Sequence, residues 1–133
     1  MTELSIAVFA NSMLLGVLLL LQPLWRDIRH GMAYTVGTFD ERKPETVLER
    51  RLVMVVRNQI EALSLLLPLA VLLFTQGAVE SALLAYAAIA HVASRTLYAV
   101  VALAGIPLLR SLFWTVSFAA LGVIAWVTFN AVL

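Results

Sequence analysis

Three short polar groupings interrupt a largely apolar chain: Arg57-Asn58-x-x-Glu61, Arg95-x-x-Tyr98, and Arg110-Ser111. Arg51 stands shortly before the first. Guanidinium groups grip carboxylates through paired hydrogen bonds. Arginines outnumber Glu61 here, so the set suits an anion, while Glu61 can hold an ammonium. A small zwitterion with more than one carboxylate fits that chemistry. Arg57 and Glu61 are four residues apart and share a helix face. The plainer reading is an Arg57–Glu61 pair within one helix, with Arg95 and Arg110 reaching the membrane surface along their aliphatic stems.

What positions these residues is a set of membrane spans. The chain has 133 residues, of which 62% are hydrophobic and only 13% charged, against about 25% charged in soluble domains. At roughly 20 residues per crossing, the length accommodates one domain, residues 1–133, and four spans. The fold class expected is an all-α, integral membrane four-helix bundle. Net charge is +1, and no basic run alternates with aromatics, so a nucleic-acid partner is not expected. Cysteine is absent, so the protein has no thiol of its own. No metal site is expected, because His30 has no second ligand at a suitable spacing. His30 reads as a solvated loop residue.

The spans are placed at about 4–25, 47–75, 79–104 and 108–132, with a polar loop at 26–45. The only early charge is Glu3, which reads as a permanent first span rather than a cleaved signal. Pro23 and Trp25 mark the expected end of that span. Asn11 and Ser12 within it can bond across helices. Thr46 and Glu49 form a capping box for span 2, and Pro68 is expected to bend it. On span 3, His91, Arg95, Tyr98 and Ala102 recur at 4, 3 and 4, one helical face. Six Lys or Arg lie in loop 26–45 together with Arg50 and Arg51, and Arg110 opens span 4. Excess basic charge marks the cytoplasmic side. Both termini are therefore expected outside, and the polar residues of spans 2, 3 and 4 at the cytoplasmic end.

In order and position, Arg57-Asn58-x-x-Glu61, Arg95-x-x-Tyr98 and Gly105-x-Pro107-x-x-Arg110-Ser111 resemble the MAPEG family, the membrane-associated proteins of eicosanoid and glutathione metabolism, in a bacterial-type form. The resemblance covers nearly the whole chain. It implies a four-helix protomer assembled as a homotrimer in the inner membrane. It further implies glutathione bound between protomers near the cytoplasmic face. By position, Arg51, Arg57, Asn58, Glu61, Arg95 and Tyr98 would hold glutathione. Arg110 would stabilise its thiolate, with Ser111 beside the sulfur. The implied activity is a glutathione transferase or peroxidase acting on a lipophilic small molecule that arrives through the lipid bilayer. The chain departs from the family pattern at Leu65, where many members have proline, at Ala102, where tyrosine is common, and at Trp114, where some have tyrosine.

Two other readings compete. A non-catalytic membrane binding or scaffold protein needs only the fold. A small multidrug transporter also has four spans, but wants a carboxylate deep in span 1, where this chain offers only Glu3 at the edge.

Overall fold

The structure, a computed structural model, describes residues 2–77 and 81–132. Five helices follow one another: α1 (Glu3–His30), α2 (Met32–Thr35), α3 (Val47–Thr75), α4 (Ala82–Ala104) and α5 (Pro107–Val132). Among the described residues there is no strand. The four long helices have 28, 29, 23 and 26 residues and apolar windows suited to a membrane crossing. At 1.5 Å per residue even the shortest spans about 35 Å, enough for a hydrocarbon core of about 30 Å. The chain is an integral membrane protein. The expected start of span 3 at Val79 lies outside the described residues.

Local signals set the helix ends. Thr2 accepts from the Ser5 N–H at 3.3 Å and starts α1. Thr46 accepts from the Glu49 N–H while the Glu49 carboxylate accepts from the Thr46 N–H, completing the capping box of α3. Ser81 caps α4 in the same way. Gly105 closes α4 in the left-handed region at φ 81°, and the Ile106 N–H reaches back to the Val101 carbonyl at 3.0 Å. A Cβ at Gly105 would also displace the flexible end of Arg51, but it is the positive φ that requires glycine.

One expected boundary changes. Helix α1 does not end near Trp25 but continues through Pro23 to His30. Proline removes one ladder bond, which the flanking turns tolerate, and Arg29 and His30 in the last turn suit the negative end of the helix dipole. The helix stops at Gly31, whose φ is 87°. Loop 26–45 is thus helical at its start and carries the short α2 as well. Pro68 likewise lies inside α3 without interrupting it.

Helix α1 packs on α3 and α4, and α5 packs on α4 and α3, while α3 and α4 also touch across the middle. Two apolar clusters form the core. At the end away from the loop, Leu4, Leu63, Leu66, Leu73, Leu84 and Ile124 interlock. Nearer the loop, Leu18, Val55, Val56, Tyr98, Ala99 and Ala102 do so. Small residues such as Ala7, Ala70, Ala88 and Ala99 are buried. Close backbone approach is how helices associate in lipid, where apolar burial offers little drive. Large apolar residues point outward instead, among them Leu20, Tyr86 and Leu108.

Candidate functional site

A polar layer lies between the two apolar clusters. Its centre is Arg95, only 2% exposed. Arg95 Nε donates to Gln59 Oε1 at 2.9 Å, and Nη1 donates to Asn58 Oδ1 at 2.7 Å. The guanidinium carbon sits 4.9 Å from the Tyr98 ring centre, a cation–π contact. Gln59 in turn donates to Asn11 through its carbonyl at 3.1 Å and Oδ1 at 3.0 Å. Helices α1, α3 and α4 are thereby joined by one chain of bonds. One turn away, His91 Nδ1 lies 3.1 Å from both the carbonyl and Oγ of Ser117, which ties α4 to α5.

The helical face read on span 3 is the buried one: His91, Arg95, Tyr98 and Ala102 are each at most 4% exposed. Arg95 therefore does not reach the membrane surface. Its positive charge is held by two amide oxygens and an aromatic ring, and among the described residues no carboxylate pairs with it. Its Nη2 has no hydrogen-bond partner. An unpaired buried donor is costly. Arg95 lines a cavity of about 170 Å³ together with Asn58, Glu61, Leu65 and Trp114.

Arg57 and Glu61 turn the other way. Arg57 Nε donates to Glu61 Oε1 at 3.1 Å, and the two side chains are 81% and 57% exposed. The pair within one helix does form, as the plainer reading had it. It lies on the outer surface of a span, about 9 Å beyond Arg51 along α3.

Arg51 and Arg110 line a second cavity of about 180 Å³ under the α4–α5 turn. Arg51 Nη1 donates to the Leu103 carbonyl at 3.0 Å, covering one of the open carbonyls at the end of α4. Arg110 Nη1 lies 3.2 Å from Met54 Sδ. Ser111 is exposed, and its hydroxyl donates to the Pro107 carbonyl at 3.1 Å. The expected site is therefore gathered at one end of the bundle but divided into three parts. One is a cavity with Asn58, Glu61 and Arg95. Another is a cavity with Arg51 and Arg110. The third is the outward pair Arg57–Glu61, whose glutamate also borders the first.

Ligand pockets usually measure about 300–1,000 Å³, so neither cavity alone suffices for a peptide-sized ligand. A ligand must extend over both, or be enclosed by another chain. Among the described residues no cluster of His, Asp or Glu forms a metal site.

Sequence reading missed Gln59 as a partner of Arg95, Asn11 as the partner of Gln59, and Ser117 as the partner of His91. Asn11 was read as able to bond across helices and does so; Ser12 bonds to Val8 in its own helix at 2.8 Å. Met54, beside Arg110, carried no polar signal. One expectation is corrected outright. His30 is not a solvated loop residue, because its Nε2 lies 3.2 Å from Glu49 Oε1 and its side chain is 13% exposed. The extension of α1 carries it onto the start of α3.

A model of the MAPEG family matches residues 6–130. No curated protein and no solved structure matches the chain.

Proposed function

Because the chain belongs to the MAPEG family, which includes glutathione transferases and peroxidases, we propose that it binds glutathione and uses it on a lipophilic electrophile or hydroperoxide. The observation that carries this reading is the buried Arg95, which lines a cavity with Asn58 and Glu61 and whose Nη2 has no hydrogen-bond partner among the described residues. Glutathione bears two carboxylates and one ammonium. Arg95 supplies a free donor for a carboxylate, Glu61 an anion for the ammonium, and Arg57 a second cation. These residues fit the ligand.

Bound glutathione would supply a thiol sulfur as the nucleophile. The role of the chain is to hold and charge it. A nearby cation lowers a thiol's pKa from about 8.5, and Arg110 is the cation we assign to that task, with the Ser111 hydroxyl as a donor beside it. Arg51 and the Asn58 side-chain amide orient the peptide, and Tyr98 holds the Arg95 plane. The apolar outer surface admits the second substrate from the bilayer.

The exposed Arg57–Glu61 pair supports assembly. Charged groups facing lipid in mid-span are expensive. A further copy laid over that face would cover them and enlarge both small cavities, consistent with a homotrimer that binds its ligand between protomers. The distribution of basic residues favours the loop end as cytoplasmic, with both termini outside, in a bacterial inner membrane.

Calorimetric titration of reduced glutathione into the detergent-purified protein tests the reading. Binding is expected in the wild type. An Arg110→Ala variant should still bind but lose the ultraviolet absorbance of the thiolate. A retained thiolate band would remove Arg110 from its role. No binding at millimolar glutathione would refute the function. A second reading is favoured by the hydrogen bonds of Arg51 and Arg110 to Leu103 and Met54: a non-catalytic binding or scaffold protein that keeps the fold. Turnover with any electrophile would eliminate it.

A further inference from the structure

A larger cavity lies apart from the arginines discussed so far. It measures about 430 Å³ and sits where the end of α1, α2 and the chain up to Glu45 fold against the first turns of α3. Arg26, Arg42 and Lys43 line it, over an apolar patch of Leu52 and Val53. Arg26 lies 5.4 Å from the Phe39 ring centre and Lys43 lies 5.1 Å from that of Tyr34. Lys43 Nζ also donates to the His30 carbonyl at 3.3 Å. Among the described residues no carboxylate pairs with any of the three cations. Of the two acids on the wall, Glu49 is already held by His30 and by the Thr46 backbone. Only Glu45 remains to oppose three positive charges.

A second observation stands beside this cavity. Ile28, Met32 and Val36, at four-residue intervals, are 67%, 69% and 77% exposed. They follow Trp25, where the sequence places the end of the first span, along the last turn of α1 and through α2. Exposed apolar side chains next to basic ones suit the boundary between headgroups and acyl chains. A wholly aqueous loop has no use for them.

We propose that this cavity binds the anionic headgroup of a phospholipid, with Arg26, Arg42 and Lys43 facing the phosphate and Ile28, Met32 and Val36 resting in the acyl boundary. Basic pockets beside membrane helices attract acidic headgroups, each cation strengthening binding about fivefold. The apolar patch at Leu52 and Val53 favours a lipid over a free anion. The loop would then be an ordered lipid-binding cap, and the site is independent of the glutathione reading.

The test is native mass spectrometry of the full-length protein in detergent, with phosphatidylglycerol, phosphatidylcholine, inorganic phosphate or glutathione added. The wild type should retain phosphatidylglycerol at least tenfold better than phosphatidylcholine. The variant R26Q/R42Q/K43Q should lose that preference, and R26K/R42K/K43R should keep it. Arg42 is exposed and makes no side-chain hydrogen bond among the described residues, so Arg42→Gln should fold normally and lose about fivefold, the share of one cation. Equal retention of the two lipids would overturn the proposal, as would a preference that survives neutralisation. Displacement of phosphatidylglycerol by millimolar inorganic phosphate would assign the cavity to a soluble anion instead. Displacement by glutathione would merge it with the other site and equally overturn the assignment.

Discussion

Within five residues of α3, polar side chains serve two different environments. Asn58 and Gln59 turn inward and share the Arg95 guanidinium between them. Arg57 and Glu61 turn outward and have only each other. The inner group is nearly complete within the protomer, with Arg95 Nη2 and, one turn away, His91 Nε2 left without partners among the described residues. The outer group is left incomplete, because a span surface offers lipid and lipid cannot solvate charge. Inner residues therefore set the stability of the bundle, while outer residues matter for what covers them.

The sharpest way to break this comparison is Gln59→Leu. The substitution keeps the volume but removes the acceptor for Arg95 Nε and the donor to Asn11. Hydrogen bonds to charged groups contribute about 1.5–3 kcal/mol, so a drop in stability of that order is expected in thermal unfolding of the detergent-purified protein. An unchanged midpoint would mean that Asn58 and Tyr98 alone hold Arg95, and the inner layer would lose its structural role.

The two groups also differ in how far the sequence revealed them. The four spans follow from apolar runs. The inward face of α4 follows from the spacing of His91, Arg95, Tyr98 and Ala102, since a period near 3.6 needs no partner to be seen. The link from Arg95 through Gln59 to Asn11 depends on how α1 and α3 are rotated against each other. No spacing within one helix encodes that rotation. The same holds for His30 and Glu49, which meet only because α1 continues past Pro23 and Trp25. Those two residues read as a stop, yet the charged turn after them is a good helix former with a favourable end charge. The arginines were legible as a set, because charge is rare in spans. Their division between two cavities was not, because it depends on which side of the α4–α5 turn each side chain reaches.

Asn11→Leu sharpens the inner side of the comparison. It removes the Oδ1 acceptor but leaves the Asn11 carbonyl, 3.1 Å from Gln59 Nε2. Neutral hydrogen bonds between membrane helices average about 0.6 kcal/mol and reach about 1.7. The loss should therefore be smaller than for Gln59→Leu, and the two together should cost less than their sum because they share one chain of bonds. Additive losses in the double variant would separate α1 from the Arg95 layer.

The smallest effect on stability belongs to the outer pair. Removing both partners together leaves no charge unpaired on the span, so an Arg57→Ala, Glu61→Ala variant should melt close to the wild type. If the pair faces a second copy and a shared ligand, the same variant should nonetheless lose glutathione in calorimetry and subunit association in sedimentation. Stability and assembly would then separate at neighbouring positions of one helix turn. A variant that melts normally, binds glutathione and sediments like the wild type would leave Arg57 and Glu61 as a surface ion pair outside the binding site.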